Sequence, residues 1–398
     1  MKTPSRIVVL LSACVGLMMT GFGIIMPVFA RRLQAFDAGP GELGLVTMSF
    51  ALAHMLLSTR AGALSDRIGR KPLVLVGLGG FAMSNLLYLL APSTGWFVAA
   101  RAAAGVLTAG LYPAAMGAVD DISDRSQRAA RVGLVMAGYG IGFVGGPVIG
   151  GLLYDAWGFA APFVASATLG AVAFIAAWTL VPETRRNTPA KPARASEVAS
   201  RLPASIHLLL ATQLVSAFAF AFVEPHMVFH MYETLGWSST QFGVVVGAYG
   251  VALAGAQSLL AKSSDRYGRR PVIVVGLGLA ALFYVGLGVV TAFGPMLFVA
   301  AAAGLGAGLL GPALSAAVLD HASERTRGRA LGRLSAASAL GAVVGPLGAA
   351  LAGDAVPATV MFGVAAVVTT LVALIHGASA VRARVARPRA VAGVVRTV

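Results

Sequence analysis

The stretch Asp66-Arg67-Ile68-Gly69-Arg70-Lys71-Pro72 returns as Asp265-Arg266-Tyr267-Gly268-Arg269-Arg270-Pro271. The offset is 199 residues, half of the 398-residue length. The same offset carries Gly142, Gly146 and Pro147 onto Gly341, Gly345 and Pro346, Gly105 and Pro113 onto Gly304 and Pro312, and Asp121 onto Asp320. One register held over such distant landmarks marks an internal duplication, and each copy lies among long apolar runs. Twelve such runs predict spans near 6–30, 42–63, 72–92, 95–118, 130–154, 160–181, 205–231, 240–261, 271–293, 295–319, 329–352 and 357–380. A helix needs about 20 apolar residues to cross a bilayer. Only 11% of the chain is charged, against about 25% in a soluble domain. The expected fold class is therefore all-α integral membrane, with twelve transmembrane helices in two pseudo-symmetric six-helix bundles. A duplicated membrane chain of this kind is what a two-bundle transporter requires.

Polarity divides the chain into an N-terminal bundle (1–182), a linker (183–204), a C-terminal bundle (205–380) and a basic tail (381–398). The first run is too long for a signal peptide and no clear cleavage site follows it, so it is expected to be retained. Cys14 is the single cysteine, which excludes an intrachain disulfide and a cysteine-based metal site. The net charge of +15 invites a nucleic-acid reading, but its distribution argues against one. Of the 30 Lys and Arg, all but Arg31, Arg32 and Arg101 fall on the tail ends, the linker and the even-numbered connections. This is the positive-inside asymmetry, and it places both termini in the cytoplasm. Attraction to anionic lipid is a sufficient secondary role for the excess charge. The expected partners are the bilayer, a small-molecule substrate and protons, with no nucleic acid and no cofactor. No nucleophile–base pair, metal cluster or extramembrane domain is visible, so an enzyme is disfavoured.

Gly62-Ala63-Leu64-Ser65-Asp66-Arg67-Ile68-Gly69-Arg70-Lys71, between the second and third helices, resembles the signature loop of the major facilitator superfamily, G-x-L-a-D-r-x-G-r-k. The second copy departs from it at Ala261, where the family glycine would stand. Asp66, Arg70 and Lys71 are expected to meet Asp120 and Asp121 at the end of the fourth helix. Asp265, Arg269 and Asp320 repeat the arrangement. Carboxylates and guanidinium groups at that depth can form a charge-assisted network. Such a network would hold the bundles closed on the cytoplasmic side; the alternative is loop charge that only enforces topology.

Two further stretches carry the resemblance. Gly142, Gly146, Pro147 and Gly150 resemble the antiporter motif of the drug-efflux branches, g-x-x-x-G-P-x-x-G-G. Glycines four apart admit a neighbouring helix backbone, and Pro147 permits a bend. The resemblance implies an exporter, and a monomer. Arg101 to Gly105 resembles the fourth-helix R-x-x-x-G of proton-driven members, where the arginine is associated with coupling. An arginine in apolar surroundings should face a cavity or a partner, unless it snorkels to the outer interface. Its repeat position is Ala300.

Glu224 is the one carboxylate well inside a predicted helix, and its repeat position is Ile25. In the family's fold the first, fourth, seventh and tenth helices line the cavity, which would bring Glu224 and Arg101 to one depth. Such a carboxylate could exchange a proton with bound substrate. It could also sit near the outer headgroups, as is expected of His226 and His230. The first helix resembles its counterpart in tetracycline and multidrug antiporters but has no acid of its own. Coupling must then fall to Glu224 or the loop aspartates. Met26, Tyr112, Met116, Phe220, Met227 and Tyr249 are the expected soft, apolar pocket walls, with Phe29 beside them; packing against other helices or lipid is the alternative for each. The resulting expectation is proton-coupled efflux of lipophilic compounds across the bacterial inner membrane by alternating access. Export of a specific metabolite, such as a sugar or amino-acid derivative, is the second reading, and a transport-dead sensor the third.

Overall fold

The computed structural model describes the backbone of residues 3–124, 126–185, 204–260, 262–323 and 326–385. Most of the expected linker, the tail beyond Val385 and Ala261 lie outside the described residues. Twelve helices are long and apolar enough to span a membrane. They are α1 (Ser5–Gln34), α2 (Pro40–Ile68), α3 (Arg70–Leu89), α4 (Thr94–Asp121), α5 (Ala130–Trp157) and α6 (Ala160–Leu180), then α7 (Ile206–Thr234), α8 (Ser239–Leu259), α9 (Arg269–Val289), α10 (Phe293–His321), α11 (Arg327–Ala355) and α12 (Ala358–Ala378). As a backbone helix, α12 continues to Val385, past the expected end of the second bundle.

The apolar runs locate the helices but not their ends. The second run was expected to stop at residue 63, yet α2 continues through Ser65, Asp66 and Arg67 to Ile68. It ends there because Gly69 adopts φ +113°, ψ 164°, a region essentially reserved for glycine. Gly268 does the same (φ +91°) ahead of α9. Two departures from symmetry stand out. Thr94–Thr108 and Leu111–Asp121 are separate helical pieces of α4, broken at Ala109-Gly110, whereas α10 is continuous. Pro113 and Pro312 each lack the N–H that would bond four residues back. α10 has glycines of its own beside Pro312, at Gly308 and Gly311, and stays helical, so glycine content alone does not account for the break in α4. The other departure is a π-helical turn, His230–Thr234, that ends α7.

Helices α1–α6 pack mainly with one another, as do α7–α12. The halves meet chiefly where α5 lies on α8 and α2 lies on α11, a pair of contacts related by the repeat. Each half has an even number of spans, so the first and last helices begin and end on one side, here the terminal side. The opposite side is the far side. Near the far side of the first half, Phe29 packs edge-on to Tyr88 and Phe97, with ring centroids 5.4 and 5.2 Å away. Phe163 stacks on it from α6. This rigid aromatic block frames the cavity described next.

Candidate functional site

The two signature loops form matching networks. Arg70 pairs with Asp66 one turn earlier and with Asp121 at 2.9 Å (Nε to Oδ2), while its Nη1 donates to Ser65 Oγ at 3.3 Å. Arg269 pairs with Asp265 and with Asp320 at 2.9 Å, and donates to Ser264 Oγ at 2.8 Å. Serine, aspartate, arginine and aspartate are all repeat-related. The expected bridge between bundles is not formed, because each of these bonds stays within one half. Lys71 is outside the network: its ammonium donates to the Trp178 carbonyl. Asp120 instead pairs with Arg128 at 2.6 Å. Glu183, which carried no sequence signal, accepts from the Arg70 and Lys71 amides at 2.9 and 3.1 Å and so caps α3. Burial pushes its carboxyl pKa up, but four backbone N–H bonds, from Arg70, Arg185, Lys71 and Thr184, bring it below its ordinary value.

Hydrogen bonds that join described residues of the two halves lie on the far side. Tyr232 Oη donates to the Pro27 carbonyl at 2.6 Å, and Gln34 Nε2 to Glu233 Oε1 at 2.9 Å. Gln34 and Glu233 are themselves one repeat apart, so this bond lies on the pseudo-twofold axis. Arg31 donates to the Trp237 carbonyl at 2.8 Å and stacks on the Tyr232 ring. Arg32 donates to the Ala91 carbonyl at 2.7 Å. Two of the three exceptions to the charge asymmetry thus have partners, Arg31 in the other half and Arg32 in its own.

Of the antiporter-motif glycines, Gly142, Gly146 and Gly150 face the same half, and only Gly151 lies against the other, where a Cβ would strike the Ser239 carbonyl. A Cβ on Gly142, Gly146 or Gly150 would strike the α1 backbone at Gly16, Thr20–Gly23 or Ile24 of the same half. It is the other face of α5 that meets α8: a Cβ on Gly243 would collide with the Pro147 carbonyl. The repeat gives the same contact again, with Gly44 of α2 against the Pro346 carbonyl, 2.7 Å from a Cβ there. The two Gly-Pro bends are therefore where the halves approach backbone to backbone.

A cavity of about 640 Å³ runs through the first half between α1, α2, α4 and α5. Arg101 and Tyr88 are at its far-side end; Ser58, Pro113 and Met136 are nearer the terminal side. Arg101 is 6% exposed and lies among aromatic faces, its guanidinium carbon 4.2 Å from the Phe50 centroid, 4.8 Å from Phe29 and 5.2 Å from Phe22. Cation–π attraction of this kind offsets part of the cost of desolvation. Neither Arg101 Nε nor the neighbouring Tyr88 Oη has a hydrogen-bond partner. Glu224, on α7 of the other half, is half-buried and, like Arg101, is an ionisable group inside a membrane-spanning helix. The two are not in ion-pair contact among the described residues.

The expected pocket residues divide. Tyr112 lines the cavity. Met116, one turn further toward the terminal side, does not; it packs against the core of the first half. Met26, Phe220, Met227 and Tyr249 surround a gap of only about 30 Å³, since the halves are closed together at that depth. Phe220 and Tyr249 also border a second cavity of about 270 Å³ in the other half, near Gln213, Ser216, Ser338 and Thr369. Phe29 is buried in the aromatic block. The residues missed are Phe22, Phe50, His54, Tyr88 and Tyr139; they come from four different helices, so spacing along the chain does not group them with Arg101. His226 is 2% exposed and bonds the Gly353 carbonyl at 3.1 Å, whereas His230 packs edge-on to Phe362.

Comparisons with known proteins agree with this architecture. The model of the Major Facilitator Superfamily matches residues 9–223 and 209–394. The class C tetracycline resistance protein of Escherichia coli is 30% identical over 362 residues, 87% of this chain and 89% of that protein. Multidrug resistance protein 2 of Bacillus subtilis (strain 168) is 26% identical over 335 residues, 82% and 83% of the two chains. Among solved structures, a bacterial homolog of the human lysosomal transporter Spinster, in an inward-facing and unoccupied conformation, superposes with a TM-score of 0.78 over 95% of this chain and 96% of that one, at 18% identity. With the duplicated signature loops and the twelve-helix fold, these matches make the chain a multi-pass, non-enzymatic membrane transporter that belongs to the major facilitator superfamily.

Proposed function

We infer that the protein exports lipophilic small molecules across the bacterial inner membrane in exchange for protons. The observation that carries this reading is the pair Arg101 and Glu224. They come from different halves, each lies within a membrane-spanning helix, and the repeat supplies neither of them again. An intramembrane ionisable pair of this kind is a functional-site hypothesis by default. Glu224 would carry the proton and Arg101 would hold the carboxylate's charge in check. A cation or a polarised group of the substrate would then compete with the proton for Glu224. The mostly apolar cavity beside Arg101 suits a lipophilic substrate, and the tetracycline and multidrug resistance relatives support export. The distribution of Lys and Arg supports a cytoplasmic terminal side. The conformation described here would then be closed to the outside, with the cavity reached from within.

The test is substrate-triggered proton movement in everted vesicles, with a panel of lipophilic drugs. Wild-type protein is expected to give it and Glu224→Gln to abolish it while the protein remains folded. Drug resistance undiminished in Glu224→Gln would remove Glu224 from the mechanism. A second reading, export of a polar metabolite, rests on the smaller cavity, where the Ser216 and Thr369 hydroxyls are buried without partners. It predicts that sugars or amino-acid derivatives, and not lipophilic drugs, elicit the proton signal.

A further inference from the structure

Two aspartates that the mechanism above does not use occupy equivalent places in the repeat. Asp155 and Asp354 are 199 residues apart, one at the far-side end of α5 and the other in the turn that ends α11. Each reaches across to the other half and accepts from the first turn of a helix there. Asp155 Oδ1 accepts from the Ser239 amide at 3.2 Å and Oδ2 from the Thr240 amide at 2.8 Å, at the start of α8. Asp354 Oδ1 accepts from the Gly41 amide at 3.4 Å, at the start of α2. Gly41 and Thr240 are also one repeat apart. The two contacts are therefore one device made twice, crossed between the halves.

The chemistry suits the place. The first amides of a helix have no partner within it, and a carboxylate there is favoured by both the free N–H groups and the helix dipole. The α2 terminus needs such a group most. Its N-cap is Gly39, which has no side chain to offer, and Pro40 has no N–H. Ser238 and Gln241 already form a capping box at the start of α8, so Asp155 adds to a satisfied terminus. The two contacts also differ in strength. Asp155 makes two bonds from the last turn of a regular helix. Asp354 makes one long bond from a turn entered through Gly353 at φ +59°, which is steadied by His226 on the Gly353 carbonyl.

We propose that Asp155 and Asp354 are positioning residues for transport, a crossed pair of carboxylate caps that holds the far side closed and must release for that side to open. Both contacts sit one to two turns beyond the Gly44–Pro346 and Gly243–Pro147 approaches, at the rim where the halves would separate. Because each joins a helix end of one half to a helix start of the other, neither can survive a rigid rotation that opens the rim. They thus set how much of the population is closed on the far side. The proposal rests on alternating access alone, and not on the proton or the substrate.

The experiment measures that population in substrate-free protein in nanodiscs, by pulsed electron paramagnetic resonance. One spin-label pair replaces Gly95 and Gly294, repeat-related exposed positions on the far side where an added Cβ meets nothing within 4 Å. A second pair replaces Ser126 and Arg327, exposed on the terminal side. The background carries Cys14→Ser. Asp155→Asn is expected to raise the ratio of far-side-open to far-side-closed molecules about tenfold, and Asp354→Asn about threefold. The far-side distance lengthens while the terminal-side distance shortens. Asp155→Glu, which keeps the carboxylate, should recover most of the closed population. Thr240→Pro deletes the nearer of the two donors, at a position in the first helical turn where proline is tolerated. It should shift the ratio in the same direction as Asp155→Asn but by less, and the two together should do less than the sum of their separate effects. Unchanged distances in both asparagine variants would overturn the proposal. So would broadening on both sides without the reciprocal shift, or full additivity of Thr240→Pro with Asp155→Asn. Loss of proton-coupled export with these distances intact would count against the function proposed above and not against the caps.

Discussion

The loop from α2 to α3 and the loop from α8 to α9 contain the same serine, aspartate, glycine and arginine, yet their surroundings differ. The Arg70 and Asp121 side chains are each 16% exposed, whereas Arg269 and Asp320 are 27% and 51% exposed. Glu183 caps α3; the repeat position, Arg382, carries the opposite charge. The difference extends inward. The first half holds the larger cavity and Arg101, and at the equivalent place the second half has Ala300, 1% exposed. Glu224 belongs to the second half, and its equivalent Ile25 is buried beside the Arg101 cavity. The repeated features are those that bend, approach or cap: the loop networks, the Gly-Pro contacts and the crossed aspartates. The unrepeated ones are ionisable groups in the interior. Duplication accounts for the parts that would move in the proposed alternating access, and the departures from it supply groups that could make that motion selective.

The largest effect should come from moving chemistry against that division. Arg101→Ala is expected to reduce drug export to the level of cells lacking the transporter, because the cavity loses its only buried cation. Adding Ala300→Arg on that background places a guanidinium at the pseudo-symmetric position, beside Met26 and Phe220 in the 30 Å³ gap. It should not restore export, since the gap has no room for it and overpacking destabilises. Rescue in an accumulation assay would show that the halves are functionally interchangeable.

Next come the loop glycines. Gly69→Ala and Gly268→Ala both force a side chain into glycine-only backbone, at about 1–3 kcal/mol. Only Gly69 is also crowded, because its Cβ would collide with the Glu183 carboxylate, whereas the nearest atom to a Cβ on Gly268 is 3.7 Å away. Gly69→Ala should therefore lower the thermal unfolding midpoint in detergent more than Gly268→Ala does. Equal losses would mean that the backbone alone sets the cost. A smaller contrast is expected between the aspartates. Asp121→Asn removes one partner of a mostly buried charged bond, at about 2 kcal/mol. Asp320→Asn removes a half-exposed one, at about 0.5 kcal/mol.

Much of this was legible before any coordinates. Twelve apolar runs and one offset of 199 residues set the fold, and the loop aspartates and arginines do meet as the repeat implied. What hydropathy cannot register is where a helix continues past its apolar part, as α2 does to Ile68. Nor can it tell whether a charged loop bonds within a half or between halves. The Asp66–Arg70–Asp121 network was expected to span the bundles and instead stays inside one. Among the groups that do span them, Asp155 and Asp354 resemble ordinary helix-end aspartates in the sequence. Their register in the repeat, matched by that of Gly41 and Thr240, was the signal available. Met116 lies one turn beyond Tyr112 on the same helical piece, past the end of the cavity, and the depth at which a cavity stops is not written in helical spacing.

The smallest expected effect belongs to Glu183, and it tests the comparison from the side of pH. Burial alone would raise its carboxyl pKa, but the four backbone N–H bonds outweigh burial and hold it below the usual value near 4.5. A group whose folded pKa is depressed adds stability that is fully present above the unfolded value and is lost as pH falls through the folded one. Glu183 is exposed to solvent, so a charged cap at the start of α3 is worth about 0.5 kcal/mol. Glu183→Gln should thus lower the unfolding midpoint slightly and by a constant amount from neutral pH down to about pH 5. Below that, the wild type should lose its advantage and the two curves should converge. A gap that stays constant into acid would assign the effect to hydrogen bonding without charge. In the second half, Arg382→Gln should leave the pH dependence unchanged, because arginine does not titrate in this range. An acid-side change there of the same size would mean that the halves respond alike, and that the cap on α3 is not what distinguishes them.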